Sequence, residues 1–455
     1  MFEDTIIAIS TPIGHGGLGI VRLSGKKSLS IAKKIFKPKK RESKIMPKRP
    51  VLGDLYNHEQ KDYFEEAFLT YFPRPYTYTR EDMVEISCHG SPVILEQLVR
   101  LGIKEGARHA DPGEFTLRAY MNGRIDILQA EAVNDIIQAA SYKQAKISYK
   151  QLEGSLSNQI SSLRAQIIHL FSQVEARIEF PDEGLRTSTK QILKTLKKGI
   201  SSVNTLVESY DLGKSLAEGV TLAITGRANV GKSTLFNSLL EKDRAIVTPH
   251  PGTTRDFLKE CIRVRDSIFT LIDMAGLGTP LHPVEKEGIK RGKKLASLAD
   301  GILLLLDVSC KETPEDFKLI EKFKDKKTLL IFNKIDLTLK MNTERVKKQA
   351  ENIPNIEISA LKGTNLKKLK EKIYKLFIPD LEEDKEIILH LRQKLILDEI
   401  LDSLIEGQNL LKQGYPEEIY SEEIRKVIPL IGQLTGEIRA DDIINDIFSR
   451  FCVGK

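Results

Sequence analysis

Cysteine is scarce among the 455 residues, and no long apolar run occurs among them. The four cysteines, Cys88, Cys261, Cys310 and Cys452, are widely scattered and match neither a disulfide framework nor a paired zinc-ligand spacing. Such usage fits a reducing compartment. The longest apolar stretches, such as 302–306, fall far short of the roughly 20 residues that a membrane-spanning helix requires. Met1-Phe2-Glu3-Asp4 carries acids where a signal peptide would carry lysine or arginine before an apolar run, so a cytoplasmic protein without membrane attachment is expected. A large charge excess is also lacking. The net charge of +7 permits a polyanionic partner such as RNA without demanding one. The densest basic run, 33–44 (KKIFKPKKRESK), contains Pro38 and few apolar residues and reads as a solvated surface loop.

The length predicts two or three domains, and 41% hydrophobic with 29% charged residues excludes wholesale disorder. Four stretches separate by pattern. Residues 1–119 mix short strand-like runs (5–9, 19–23, 67–72, 83–87) with turn clusters such as 12–17 and 111–113, which predicts a small α+β domain. Residues 120–214 are strongly helical. Leu152, Leu156, Ile160, Leu163, Ile167, Leu170, Val174 and Ile178 recur at three- and four-residue steps, on one helix face. Pro181 interrupts that pattern, and 190–210 resumes it. Residues 215–378 alternate buried-strand runs (221–225, 269–273, 302–307, 328–333, 356–359) with helical stretches, the mark of a doubly wound parallel α/β sheet. Residues 379–455 return to long amphipathic helices. The expected fold is therefore a multidomain one: an α+β N-terminal domain, an all-α domain, and an α/β domain inserted into the latter.

Gly226-Arg227-Ala228-Asn229-Val230-Gly231-Lys232-Ser233 fits the phosphate-loop pattern G-x-x-x-x-G-K-[ST], between a strand and a helix that begins near Thr234. Its glycines let the backbone wrap phosphates closely, with Lys232 reaching the outer phosphates and the Ser233 hydroxyl on Mg²⁺. Asp273-Met274-Ala275-Gly276 closes the next strongly apolar strand, where an acid can hold Mg²⁺ through water and a glycine amide can approach the γ-phosphate. Asn333-Lys334-Ile335-Asp336 closes a later one, and the Asp336 carboxylate can accept both donors on the guanine edge. Ser359-Ala360-Leu361 closes the last strand, where a backbone amide can meet the guanine oxygen. Four motifs in order at carboxyl ends of strands predict an α/β P-loop domain that binds GTP and GDP and hydrolyses GTP. Leu277 stands where many GTPases carry a water-orienting glutamine. Either hydrolysis is feeble, or another group orients the water and another cation replaces an arginine finger. Glu285 or Glu287 are candidates for the first role, and Asn229 is one for the ligand of a monovalent cation.

Further motifs carry a family resemblance. Gly252-Thr253-Thr254-Arg255-Asp256 follows the phosphate loop, the last five residues are Phe451-Cys452-Val453-Gly454-Lys455, and 4–25 reads DTIIAISTPIGHGGLGIVRLSG. Together these closely resemble the bacterial tRNA-modification GTPases of the MnmE (TrmE) family, over essentially the whole chain. The resemblance implies an N-terminal domain (1–119) that binds a tetrahydrofolate derivative, in its 5-formyl or methylene form, and mediates homodimerisation. It implies a helical domain (120–214 and 379–455) around an inserted GTPase domain (215–378). It also implies a partner of the MnmG type that carries FAD, in a heterotetramer, and modification of the wobble uridine of tRNA with an aminomethyl-type group.

Carried over by motif, Asn229 and Thr253, with the Thr248 and His250 carbonyls, would hold K⁺ in a loop that includes Pro249, Pro251 and Gly252. Ser233 and Thr254 would hold Mg²⁺, and Glu285 rather than Glu287 would orient the water. Arg22, Glu85, Arg124 and Lys455 match folate-contacting positions, a cationic pair suiting the glutamyl tail and a carboxylate the donor edge of the pterin. Cys452 invites a role near the folate. Residues 248–251 read Thr-Pro-His-Pro where the family often has Asp-Ile-Ala, Ala228 replaces a common proline, and Met274 a common threonine. A ribosome-assembly switch without modification chemistry is the competing reading; it offers no role for residues 452–455.

Overall fold

The computed structural model describes residues 3–40, 44–139, 141–180, 188–243, 259–265, 267–273, 299–378, 386–438 and 441–455. Its contacts divide the chain into two compact units: one of Met1–Asn134, Tyr149–Gly199 and Asp402–Lys455, the other of Asp135–Ser148 and Ile200–Leu401. The α+β, helical and α/β parts expected from the pattern are all present.

In the first unit a seven-stranded sheet runs in the order Phe36–Pro38, Val51–Asn57, Asp62–Phe72, Met83–Gly90, Gly16–Ser24, Ile6–Ile9, Arg108–His109. All neighbours are antiparallel except the last pair, which is parallel. Alternation is plain in Val51–Asn57, where every second residue is buried. Helices Ser28–Ile35 and Pro92–Lys104 bury Ile31, Ile35, Leu95 and Leu98 in the same core as Ile7, Val21, Leu23, Val84 and Ile86. The strand expected over 19–23 begins earlier, at Gly16, and takes in part of the predicted turn. The reason is steric: a Cβ on Gly19 would lie 3.1 Å from the Gly90 Cα and 2.7 Å from Leu95, so glycine lets two backbones close. Among the helices of this unit, Ser155–Glu179 buries Leu156, Ile160, Leu163, Ile167, Leu170 and Val174 of the face read from the three-four periodicity, whereas Leu152 ends the preceding helix Tyr142–Leu152, before the left-handed Gly154, and Ile178 is half-buried. Glu417–Thr435 packs beside it, with Arg177–Glu417 and Ser421–Glu175 contacts between them.

A buried ionic network anchors the N-terminal sheet. The Arg118 guanidinium, fully enclosed, reaches Glu81 at 3.1 Å, Glu114 at 2.9 Å and Asp4 at 2.7 Å. Burial alone would raise the Glu114 pKa, but hydrogen bonds from Arg108, the Asp111 amide and Arg118 outweigh it and lower it. Its stabilising contribution is thus complete above the ordinary glutamate range and is lost as pH falls through that range toward the depressed value. Replacing Arg118 with methionine leaves Glu81 and Glu114 buried without this cation. Urea unfolding at neutral pH is expected to show a loss of about 3–5 kcal/mol; a loss below 1 kcal/mol would contradict the reading.

The second unit holds a six-stranded sheet in the order Asn355–Glu357, Thr328–Asn333, Gly301–Asp307, Val220–Thr225, Ser267–Asp273, Lys259–Val264. Gly301–Asp307 and Thr328–Asn333 are buried at every residue, as central parallel strands covered on both faces must be. The purely parallel sheet expected from the sequence needs one correction: Lys259–Val264 (KECIRV) adds an antiparallel edge. Its three charged residues hide it from a search for apolar runs. Helix Pro314–Phe323 opens on a reciprocal Thr313–Asp316 capping box with Pro314 in its first turn.

Candidate functional site

The phosphate loop occupies 226–231, between strand Val220–Thr225 and helix Lys232–Asp243. Two glycines make its shape possible. Gly226 has φ +146° and a Cβ there would stand 2.4 Å from the Leu305 carbonyl; Gly231 has φ +98° and one would meet the Asn333 amide at 2.4 Å. Asn229 also takes a left-handed conformation, φ +60°, at an exposed corner, while Val230 points into the core. The Lys232 ammonium lies across its own loop, donating to the carbonyls of Gly226 (2.9 Å) and Arg227 (2.6 Å). Ser233 and Thr234 are exposed on the first turn of the helix.

Two motifs distant in sequence are tied to this loop. The buried Asn333 amide donates to the Val230 carbonyl (2.8 Å), and its oxygen accepts from the Ala360 amide (3.0 Å). Lys334 donates to the Asn229 carbonyl (2.8 Å) and to Asp307 (2.6 Å). Ser359 is buried with its hydroxyl accepting from the Lys362 amide, and Ser238 of the following helix donates to the Ala360 carbonyl. Leu361 and Asp336 remain exposed beside these anchors. Asp273 closes strand Ser267–Asp273 next to Val220–Thr225. The structure therefore brings the phosphate loop, Asn333-Lys334 and Ser359-Ala360 into one site at the carboxyl ends of the strands. The expected contacts at Thr248, Pro249, His250, Pro251, Gly252, Thr253, Thr254, Met274, Ala275, Gly276 and Glu285 lie outside the described residues.

Two members of this site carry no local signature. Asp307 ends strand Gly301–Asp307 and holds Lys334; burial would raise its pKa, but hydrogen bonds from Lys334 and Ser309 outweigh this and lower it. Asp316, fully buried, binds the Arg227 guanidinium at 2.6 Å and caps its own helix. The sequence hints only that Asp307 closes an apolar strand and that Asp316, three residues after Thr313, can cap a helix.

A second site lies in the N-terminal sheet. Arg22 and Glu85 are directly opposite in antiparallel strands, and the guanidinium makes bonds of 2.9 and 2.7 Å to Glu85 Oε1. Among the described residues, no hydrogen bond reaches Oε2. Glu85 and Arg124 line one cavity of about 480 Å³ together with Phe72, Tyr76, Tyr78 and Met83. Arg124 lies over the Tyr78 ring, 4.6 Å from its centroid, and donates to the Tyr78 carbonyl. The last residues are strapped to the same domain. Val453 bridges Pro112, the Cys452 carbonyl accepts from Gly113, the Lys455 carbonyl accepts from Phe115 at 3.1 Å, and the Gly454 carbonyl accepts from Ser10 at 3.2 Å and Arg22 at 3.5 Å. Burial, then the Arg22 charge, lowers the Lys455 pKa, while Glu85 opposes them. Glu85 thus has the Arg22 guanidinium on one oxygen and Arg124 in the same cavity, with the strap that ends in Lys455 resting on Arg22 through the Gly454 carbonyl, and the Cys452 side chain is exposed. A carboxylate among three cations and aromatic rings suits a flat heterocycle with a donor edge and an anionic tail.

The family model described as the MnmE helical domain matches residues 127–452, and that described as the GTP-binding protein TrmE N-terminus matches 5–124. The "tRNA modification GTPase MnmE" of Aquifex aeolicus is 41% identical over 457 residues, covering 100% of both chains. The protein of the same name from Thermotoga maritima is 38% identical over 99% of this chain and 100% of its own, and that from Thermoanaerobacter sp. is 39% identical over 100% of both.

Proposed function

The chain belongs to the MnmE family of tRNA modification GTPases, and from that premise we propose a K⁺-activated, Mg²⁺-dependent GTP hydrolase that drives one-carbon transfer onto the wobble uridine of tRNA. It works as a cytoplasmic homodimer with an FAD-dependent partner of the MnmG type, in a heterotetramer, and the carbon comes from a tetrahydrofolate derivative. Among the described residues no helix is long and apolar enough to cross a membrane. The domains assigned to these tasks are 1–119 for folate and dimerisation, 120–214 with 379–455 for the helical domain, and 215–378 for GTP.

One observation carries the reading: Arg22, Glu85, Arg124 and the strap that ends in Lys455, from widely separated stretches, come together in a domain other than the GTP site. A switch GTPase acting on ribosomes would have no use for that arrangement. In the GTP site the loop amides and Lys232 take the phosphates, Asp336 takes the guanine edge, and Ser233 with Thr254 would hold Mg²⁺. Asn229, with Thr253 and the Thr248 and His250 carbonyls, would hold K⁺, which when bound supplies positive charge beside the phosphates. Lys334 fixes the Asn229 backbone in its left-handed corner, which leaves the side chain exposed at the loop tip. Glu285 would orient the attacking water in place of the glutamine that Leu277 replaces.

GTP hydrolysis is expected to be faster in K⁺ than in Na⁺ for the wild type, and Asn229→Ala is expected to abolish the difference. Equal wild-type rates in the two salts would remove the cation from the mechanism.

A further inference from the structure

We propose that the lysine stripe Lys190, Lys194, Lys197 and Lys198 on helix Thr189–Glu208 is a docking surface for the sugar–phosphate backbone of the RNA substrate. This rests on the tRNA reading above and assigns it a place on the molecule.

All four side chains are exposed. At about 100° per residue they fall within an arc of about 100°, and Ile192, Leu196, Val203 and Leu206 occupy the opposite, buried face. From Lys190 to Lys198 the stripe rises about 12 Å, in steps of about 6 Å or less. That interval is comparable with the spacing of consecutive phosphates along a strand. No acidic residue occurs between 188 and 207. Among the described residues none of the four lysines makes an ion pair.

The arrangement works against helix stability. Lys190–Lys194 and Lys194–Lys198 are like charges at i,i+4, which repel on a helix surface. Lys190 also sits in the first turn, where the helix dipole favours an acid and no acid is present. Several cations on other helices of the chain are paired, Lys324 with Glu321, Lys426 with Glu423, Arg425 with Glu422, Lys394 with Asp398 and Arg450 with Asp446, although Lys367, Lys368 and Lys375 on helix Leu366–Phe377 make no ion pair among the described residues. An unbalanced stripe kept at this cost needs a polyanion to offset it.

Three features select RNA from the polyanions. Lysines act as point charges that neutralise phosphates without reading sequence. A membrane-surface helix would need its apolar face for lipid, and here that face is buried in the protein. Lysine is depleted in protein–protein interfaces, where arginine and aromatic residues dominate.

The test uses the full-length protein and an unmodified tRNA transcript with uridine at the wobble position, titrated between about 50 and 200 mM KCl. The variant K190Q/K194Q/K197Q/K198Q is expected to bind the transcript about 10- to 100-fold more weakly at the lowest salt. The slope of log K against log[salt] should fall by about 3, because the variant no longer neutralises the phosphates that the lysines cover. Basal GTP hydrolysis should be unchanged and the thermal midpoint unchanged or higher. The corresponding Lys→Arg variant keeps the charge and should bind as the wild type does, which guards against a folding artefact. Equal affinity and slope for the wild type and the glutamine variant would overturn the proposal while leaving the tRNA reading intact. Weakened binding of the flavoprotein partner with tRNA binding unchanged would also overturn it, and would make the face a protein interface. A wild type that shows no salt-dependent tRNA binding would take down both readings.

Discussion

Replacing Asp336 with asparagine is expected to lower GTP affinity by a factor on the order of 10³, since a site built around specific hydrogen bonds strongly rejects a ligand that leaves them unmade. A carboxylate accepts from both donors of the guanine edge. The asparagine side chain offers one acceptor and turns an amide against the second donor, so it loses one bond and creates a donor–donor clash. Xanthine presents a donor beside an acceptor, which is what asparagine complements, and xanthosine triphosphate should gain as guanosine triphosphate loses. The surroundings argue that the change stays local. Asp336 is exposed, while the Ile335 amide donates to the Ile358 carbonyl and the Leu337 amide to the Lys334 carbonyl, holding the loop without help from the carboxylate. Competition of GTP and xanthosine triphosphate for a fluorescent nucleotide measures both effects. Unaltered GTP affinity would remove Asp336 from base recognition.

The phosphate loop was legible because its requirements are local: glycine at positive φ, a lysine next to the helix start, and an apolar strand before it. Asn333-Lys334 and Ser359-Ala360 were legible for the same reason, each closing an apolar run. What each motif holds was not. Asn333 spends both ends of its amide on other motifs, at Val230 and Ala360, and Lys334 clasps Asn229, 105 residues away. Asp307 and Asp316 join the site through tertiary contacts with Lys334 and Arg227, and the local spacing marks Asp316 only as a helix cap. The edge strand Lys259–Val264 was missed because a strand with one neighbour can be charged. Arg22 and Glu85 lie 63 residues apart, and their pairing is a matter of strand register that no one-dimensional pattern records. Only the resemblance to a family named them together.

Gly454→Ala is expected to weaken binding of a tetrahydrofolate derivative by about 10- to 100-fold, the equivalent of losing one charge-assisted hydrogen bond. The glycine has φ +95°, which a residue with a side chain rarely adopts, and its added Cβ would stand 2.1 Å from the Ile9 carbonyl. That oxygen belongs to strand Ile6–Ile9, where Ile9 is held in register opposite Val21 of Gly16–Ser24, so a retreat would disturb the pairing. The strap must lift instead. With it go the contacts of the Gly454 carbonyl to Ser10 and Arg22 and the bond between Phe115 and Lys455. Cys452→Ser provides the contrast, because the Cys452 side chain is exposed and the strap uses its backbone carbonyl. The serine variant should therefore bind folate as the wild type does, and a loss confined to modification would mark a chemical role for the thiol. Titration calorimetry with 5-formyltetrahydrofolate, with thermal unfolding as a control for the fold, separates these cases. Wild-type folate affinity in Gly454→Ala would mean that the last five residues have no part in that site.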